Sequence, residues 1–190
     1  MSRSGKSSLM VETKATPFIK EILADLLTLS RIIIALVIVS LSFMGKHMYI
    51  AVVILTLAGA ATDIFDGKAA RRYLGENKKS KLGKYDVEVD TFFVLCVIGY
   101  LSFSEIIISK LIGLGWVGIA LTAVALSRRN MKILLLIEIP SVVALLAVAG
   151  LYDLETFALI ILPAMAVGII INRKRVLYLI FEYWPKVFSN

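Results

Sequence analysis

Charged side chains are scarce in this chain. Only 18% of its 190 residues are Asp, Glu, Lys or Arg, whereas soluble domains carry about 25%. Hydrophobic residues make up 59% of the chain, and the mean hydropathy is +0.87. This composition excludes an ordinary soluble domain and predicts a protein of the lipid bilayer.

Cysteine and histidine are almost absent. Cys96 is the single cysteine, which excludes an intrachain disulfide. His47 is the single histidine, so no His/Cys cluster is available for a soft metal, and a metal site here would need oxygen ligands. Internal repeats are also lacking, which predicts one membrane domain without a second catalytic module.

Six apolar stretches are separated by short polar breaks, at residues 26–44, 48–62, 91–103, 111–126, 133–151 and 157–171. The second and third reach the roughly 20 residues that cross hydrocarbon once their aspartate-bearing ends are included. Pro140 and Pro163 fall inside the last two, where neighbouring helices can satisfy the freed carbonyls. The pattern predicts an all-α integral membrane protein with six transmembrane helices, which places both termini on one side.

Lys and Arg are distributed unevenly around these stretches. They crowd the N-terminal segment, the loops after the second and fourth stretches and the C-terminal tail, while the opposite side has only Lys46 and Lys110. Basic residues in short loops mark the cytoplasmic face, so both termini are predicted to be cytoplasmic. The net charge of +7 is explained by this topology and by attraction to anionic lipid head groups, with no need for nucleic acid.

The ends of the chain differ from the membrane domain, predicted at 17–172. Residues 1–16 are polar and are expected to be mobile. Pro17 can open a short amphipathic helix over 17–24 that lies at the membrane interface. The tail, 173–190, mixes basic and apolar residues and is expected to lie along the cytoplasmic interface.

Four aspartates flank two of the apolar stretches. Asp63 and Asp66 follow the second stretch, and Asp86 and Asp90 precede the third. Residues three or four apart share a helix face, and a short loop makes the two helices antiparallel neighbours, so the aspartates can face one another. Several carboxylates near hydrocarbon need a compensating charge. Oxygen ligands suit Mg²⁺, Mn²⁺ or Ca²⁺, and Mg²⁺ is the usual partner of phosphates.

The string that runs from Asp63 to Arg71 and resumes at Asp86 and Asp90 reads D-x-x-D-G-x-x-A-R...D-x-x-x-D. It resembles the signature of the CDP-alcohol phosphotransferases, also called CDP-alcohol phosphatidyltransferases, which are integral membrane enzymes of phospholipid synthesis. The resemblance implies that Asp63, Asp66 and Asp86 bind a pair of ions, Mg²⁺ or Mn²⁺. It also implies that Asp90 is the proton acceptor and a further metal ligand.

The same resemblance implies contacts with the CDP moiety and a homodimer. The expected CDP contacts come from both aspartates of the first pair, from the glycine, alanine and arginine of the motif, and from two outlying residues: Asp63, Asp66, Gly67, Ala70, Arg71, Thr28 and Ser80. The loop after Arg71 is longer than in the family pattern, and its glycine, Gly83, is displaced.

The sequence defines the acceptor alcohol less closely than the CDP-linked donor. The string from Ala24 to Arg31 is similar to the start of the first span in phosphatidylglycerophosphate-synthase-like members, which usually have Asn in place of Asp25. It favours glycerol 3-phosphate, with inositol phosphate or another polar alcohol left open. Arg128, Arg129 and Lys132 fit an acceptor phosphate and fit equally well as positive-inside markers.

The expected reaction is transfer of a diacyl- or ether-lipid phosphoryl group from a CDP-linked lipid to the alcohol, with release of CMP on the cytoplasmic side of the cell membrane. Three other classes of protein also use membrane carboxylates. An ion-coupled transporter or channel would more often place them at the bilayer midplane, and a prenyltransferase would carry two separated aspartate-rich motifs. A catalytically inactive homologue would bind the CDP lipid without releasing CMP.

Overall fold

The computed structural model describes residues 25–73, 85–126, 130–173 and 177, and the side chains of residues 65–73 and 131 lie outside that description. The described chain is helical and contains no strand. Six helices follow one another: α1 at 25–41, α2 at Tyr49–Tyr73, α3 at Asp86–Phe103, α4 at Lys110–Leu126, α5 at Met131–Tyr152 and α6 at Leu154–Ile171.

Helices α1 and α2 form an antiparallel hairpin. They belong to one apolar stretch of 40 residues, Asp25–Ile64, which would be about 60 Å long as a straight helix at the usual rise per residue. A 3-10 segment, Ser42–Met48, interrupts it, and within that segment Gly45 has φ 72° and ψ −157°. Residues with a side chain rarely adopt this conformation. Arg31 of α1 lies 3.5 Å from Asp63 of α2, which requires the chain to turn back.

Helix α3 is the centre of the bundle. One side of it packs with α1, α2 and the end of α5, through residues such as Phe93, Val97 and Tyr100. Its other side packs with α4 and α5, where Leu95 and Ile98 meet Ala120 and Ile137. Because α3 is apolar on nearly every side after its first turn, burial inside the bundle follows from its composition.

Polar and aromatic contacts fix the end of the bundle at which α1 turns into α2. The Tyr100 hydroxyl donates to the carbonyl of Gly45 at 3.0 Å. The rings of Tyr49 and Tyr152 meet edge to face, with 4.8 Å between centroids. The start of α2 and the ends of α3 and α5 therefore lie together. The start of α3 and the later part of α2 consequently lie at the opposite end.

Helix α6 begins with a well-defined cap. The Asp153 carboxylate accepts hydrogen bonds from the Thr156 amide at 3.0 Å and from the Thr156 hydroxyl at 2.6 Å. These bonds stabilise the ionised form and hold the pKa of Asp153 below its ordinary value. A π-helical turn, Phe157–Ile161, follows the cap, and Pro163 lies just after it. Such turns accommodate local irregularities in a helix.

The all-helical class predicted from the sequence is confirmed, and each of the six described helices overlaps one of the six apolar stretches. Six membrane spans and cytoplasmic termini stay predictions. Among the described residues, three helical stretches are long and apolar enough to cross a membrane, namely Asp25–Ile64, Lys132–Tyr152 and Leu154–Ile171. Lys110–Leu126 is apolar but shorter, and α3 has Asp86, Glu88 and Asp90 in its first turns. The segments predicted at 1–16 and 17–24, and nearly all of 173–190, lie outside the described residues.

Candidate functional site

Three of the four sequence-predicted aspartates come together at one end of the bundle. Asp63 of α2 and Asp86 and Asp90 of α3 each offer a carboxylate oxygen, and these oxygens lie within 4.8 Å of one another. The side chains are 30%, 31% and 28% exposed, respectively. The three carboxylates are therefore partly buried and partly accessible.

Helix geometry and one close contact create this convergence. Asp86 and Asp90 are four residues apart on α3, so both point to the same side of that helix. Gly59 lies one turn before Asp63 on α2, and a Cβ added to it would come within 2.4 Å of the Phe93 ring. The missing side chain lets α2 approach α3 closely, next to the carboxylates.

Arg31 is the cation at the centre of the cluster. Its guanidinium donates from Nη1 to Asp90 Oδ1 and from Nη2 to Asp86 Oδ1, and it lies 3.5 Å from Asp63 Oδ1. The Arg31 side chain is only 1% exposed. A planar guanidinium can bind two carboxylates with two different nitrogens, so this one residue links α1 to both α2 and α3.

Sequence reasoning assigned no role to Arg31, although a signal was present. An arginine inside a largely apolar helix is costly in a membrane unless it faces a partner. That argument predicts a carboxylate partner for Arg31. It does not say which one, because the partners lie 32 to 59 positions further along the chain.

The donor set fits a divalent cation. The three side chains present hard oxygen atoms, which Mg²⁺ and Mn²⁺ prefer. Asp63 Oδ1 is buried and accepts no hydrogen bond within the described chain. Three carboxylates also outnumber the single guanidinium, so the described cluster keeps excess negative charge that a cation would neutralise.

The structure describes the other predicted site residues to different extents. Thr28 is fully buried in α1, one turn before Arg31. Lys132 is exposed at the start of α5, where its amide donates to the capping side chain of Asn130. Four motif residues have backbone in α2 but side chains outside the described part: Asp66, Gly67, Ala70 and Arg71. Ser80, Arg128 and Arg129 lie outside the described residues altogether.

A cavity of about 320 Å³ adjoins the cluster. Arg31, Asp63 and Asp90 line it together with apolar side chains of α2, α3, α5 and α6. Its volume is at the lower end of the range for small-molecule sites. Glu138 of α5 also lines it, and sequence reasoning had singled out no role for this residue either.

Comparison with known proteins gives one match. The family model described as CDP-alcohol phosphatidyltransferase matches residues 21–180, which is most of the chain and includes every described helix. No curated protein and no solved structure matches the chain.

Proposed function

Because the chain belongs to the CDP-alcohol phosphatidyltransferase family, we propose that it transfers a diacyl- or ether-lipid phosphoryl group from a CDP-linked lipid to a polar alcohol. CMP is the second product. The observation that carries the proposal is the convergence of Asp63, Asp86 and Asp90 from two helices. A pyrophosphate donor needs concentrated positive charge, which bound metal ions would supply. Within the described residues, these three carboxylates form a group that could hold such ions.

Mg²⁺ or Mn²⁺ is the proposed cofactor, as two ions held by Asp63, Asp66, Asp86 and Asp90. When bound, the ions would neutralise the donor's pyrophosphate and the charge that develops on CMP. Both described helices contribute ligands from positions that face one another. Bound ions would therefore stabilise the α2–α3 arrangement that the close contact at Gly59 already permits.

The donor's cytidine end is assigned to the α2 motif and its neighbours, that is to Asp63, Asp66, Gly67, Ala70, Arg71, Thr28 and Ser80. Arg71 supplies a planar fork that matches phosphate oxygens. Gly67 and Ala70 present little side chain, which lets a nucleotide approach the helix closely. The lipid tails stay in the bilayer beside the bundle.

Asp90 is the proposed general base. It takes the proton from the acceptor hydroxyl, the acceptor oxygen forms a bond to the lipid-linked phosphorus, and the bond from that phosphorus to the CMP oxygen breaks. Asp90 suits this role because it lines the cavity next to the cluster, where an acceptor can reach it. Arg31 donates to Asp90 and thereby orients its carboxylate.

Glycerol 3-phosphate is the best candidate acceptor, followed by inositol phosphate or another polar alcohol. Arg128, Arg129 and Lys132 would receive the acceptor's phosphate. Lys132 is exposed and lies six residues before Glu138, which lines the cavity.

In the membrane, we place six transmembrane helices with both termini and the aspartate cluster facing the cytoplasm. The membrane domain spans 17–172, after a mobile segment at 1–16 and with an interfacial helix at 17–24, and the basic tail at 173–190 rests on anionic lipids. A homodimer in the cell membrane completes the proposal. The apolar residues exposed on α1, α4 and α6, such as Ile33, Leu111 and Ile170, support a lipid-facing exterior.

The test is CMP release by the purified protein, incubated with CDP-diacylglycerol or CDP-archaeol, Mg²⁺ and a panel of alcohols. CMP is expected only when donor, acceptor and metal are all present, and chelation by EDTA should abolish it. Asp90→Asn should lose turnover and keep metal-dependent CDP-lipid binding. Glu88→Gln, which removes a nearby carboxylate of the same helix, should stay active.

Other outcomes separate the alternatives. Ion flux in vesicles without CMP release would indicate a transporter or channel. CDP-lipid binding without CMP release would indicate an inactive homologue. Wild-type rates in Asp90→Asn would show that another group takes the proton.

A further inference from the structure

Arg31 lies on the buried face of α1. Thr28, Ala35 and Ile38 are three, four and seven residues away from it, which places them on the same helix face. All three are fully buried, whereas Ile33, on another face of α1, is 54% exposed. Because packing surrounds the stem of Arg31, its guanidinium stays inside the bundle as long as α1 stays packed.

This buried cation contacts the aspartates that would hold the metal. Its guanidinium donates to Asp86 and to Asp90 and lies 3.5 Å from Asp63. An arginine stays protonated in proteins, and carboxylates that bind a metal are ionised. The three carboxylates carry three negative charges and the guanidinium carries one positive charge, so one divalent ion balances the described cluster.

A second ion meets a different charge balance. Asp66, the remaining aspartate of the motif, has its side chain outside the described part of the chain, and it offers one negative charge against the two positive charges of the ion. Glu138 lines the neighbouring cavity but is not one of the described carboxylates that converge. Uncompensated charge beside hydrocarbon is costly, and the guanidinium repels a further cation at short range.

The CDP-linked lipid can supply the missing negative charge, because each phosphate of its pyrophosphate is ionised at neutral pH. The cavity brings this charge within reach of the cluster, since Arg31, Asp63 and Asp90 all line it. A site whose charge is balanced by one ion without the donor can therefore accept two ions with it.

We propose that Arg31 makes the binding of the second metal ion depend on the CDP-linked lipid. This inference rests on the proposed function and deepens it. While Arg31 holds the carboxylates, the donor-free site takes one divalent ion, and the second binds together with the donor's pyrophosphate. The full set of ions then assembles only when a donor is present. By linkage, the second ion strengthens donor binding by the same factor.

The experiment measures Mn²⁺ binding to the purified full chain in detergent, through loss of the electron paramagnetic resonance signal of free Mn²⁺. Without donor, the wild type should bind about one ion per chain tightly, because a second is repelled. With saturating CDP-diacylglycerol or CDP-archaeol, affinity for a second ion should rise about tenfold or more, within the usual range of coupling between two ligands. No acceptor alcohol is added, so the readout is independent of turnover.

Two substitutions separate the charge of Arg31 from its shape. Arg31→Gln removes the charge and keeps a side chain that donates hydrogen bonds, so a second ion should bind about tenfold or more tighter without donor. Arg31→Lys keeps the charge and loses the planar fork, so it should need the donor as the wild type does. Lys46→Gln is the control, since it makes the same kind of charge change in an exposed residue at the other end of the bundle, and its Mn²⁺ binding should match the wild type.

Three results would overturn the inference. One is a wild type that binds two Mn²⁺ ions equally tightly without donor, a measurement that needs no variant to fold. Another is an Arg31→Gln variant that depends on the donor as the wild type does. The third is an Arg31→Lys variant that takes the second ion without donor, because charge is then not the cause. A wild type with donor-dependent Mn²⁺ binding that releases no CMP with any alcohol overturns the proposed reaction and leaves this inference standing.

Discussion

At the scale of single residues, Arg31 is the residue whose contacts hold the aspartates of the site together. It contacts carboxylates of both α2 and α3 while almost completely buried. Without it, three negative side chains would face one another at the edge of hydrocarbon. The arginine lowers that repulsion and fixes where each carboxylate points.

Replacing Arg31 therefore tests the organisation of the cluster. Arg31→Ala should lower the free energy of unfolding by about 2–3 kcal/mol, somewhat less than for a fully buried ion pair because the carboxylates are partly exposed. Arg31→Lys should recover part of that loss, since an ammonium keeps the charge but lacks the planar fork. Thermal unfolding in detergent measures both variants.

Lys46→Ala is the control for Arg31, because it removes an exposed cation at the other end of the bundle. Its stability should match the wild type. Equal stability of Arg31→Ala and the wild type would contradict the role given to the guanidinium.

At the scale of helices, the site depends on how closely α2 and α3 pack. Gly59 touches the Phe93 ring, and the two residues lie one turn from Asp63 and Asp90. The spacing of the aspartates along each helix was readable in the sequence. The distance between α2 and α3 could not be read from the sequence, because it depends on which side chain of α3 packs against Gly59.

Gly59→Ala tests this contact. The added methyl group must displace Phe93, which overpacks the interface and typically costs about 1–3 kcal/mol. It should also separate the carboxylates of the two helices, so CMP release should fall several-fold and require more Mg²⁺. A titration of activity with Mg²⁺, alongside thermal unfolding, measures both effects.

A matched glycine is available for comparison. Gly118 of α4 has no atom within 4 Å of an added Cβ, so Gly118→Ala should leave activity unchanged and raise stability slightly through better helix propensity. If Gly59→Ala behaves like Gly118→Ala, the close approach of α2 and α3 is not what sets the geometry of the site.

At the scale of the whole molecule, the helical hairpin of α1 and α2 decides the topology. A stretch of 40 residues could be mistaken for one very long helix, but the turn at Gly45 and the contact from Arg31 to Asp63 divide it into two antiparallel helices. With this division, the start of α1 and the aspartates lie at the same end of the bundle.

Single-cysteine labelling tests the orientation. In a Cys96→Ala background, His47→Cys and Arg173→Cys should react with a membrane-impermeant maleimide from opposite sides, the first from outside intact cells and the second only after the membrane is opened. Both native residues are exposed. The wild type is the control, because its one cysteine, Cys96, is buried and should react only after unfolding. Labelling of both positions from the same side would refute the topology.

The amino-acid sequence by itself determined the helical membrane class, the six apolar segments, the four aspartates in two helical registers and the resemblance to the family. These are properties of composition and of spacing within a few residues, which a helix converts directly into a face. Only the tertiary structure decided that Arg31 joins the carboxylates, that Gly59 lets α2 and α3 meet, and that Glu138 faces the same cavity. The first two of these relations already join residues up to 59 positions apart, and all three arise from packing between helices, which local spacing does not specify.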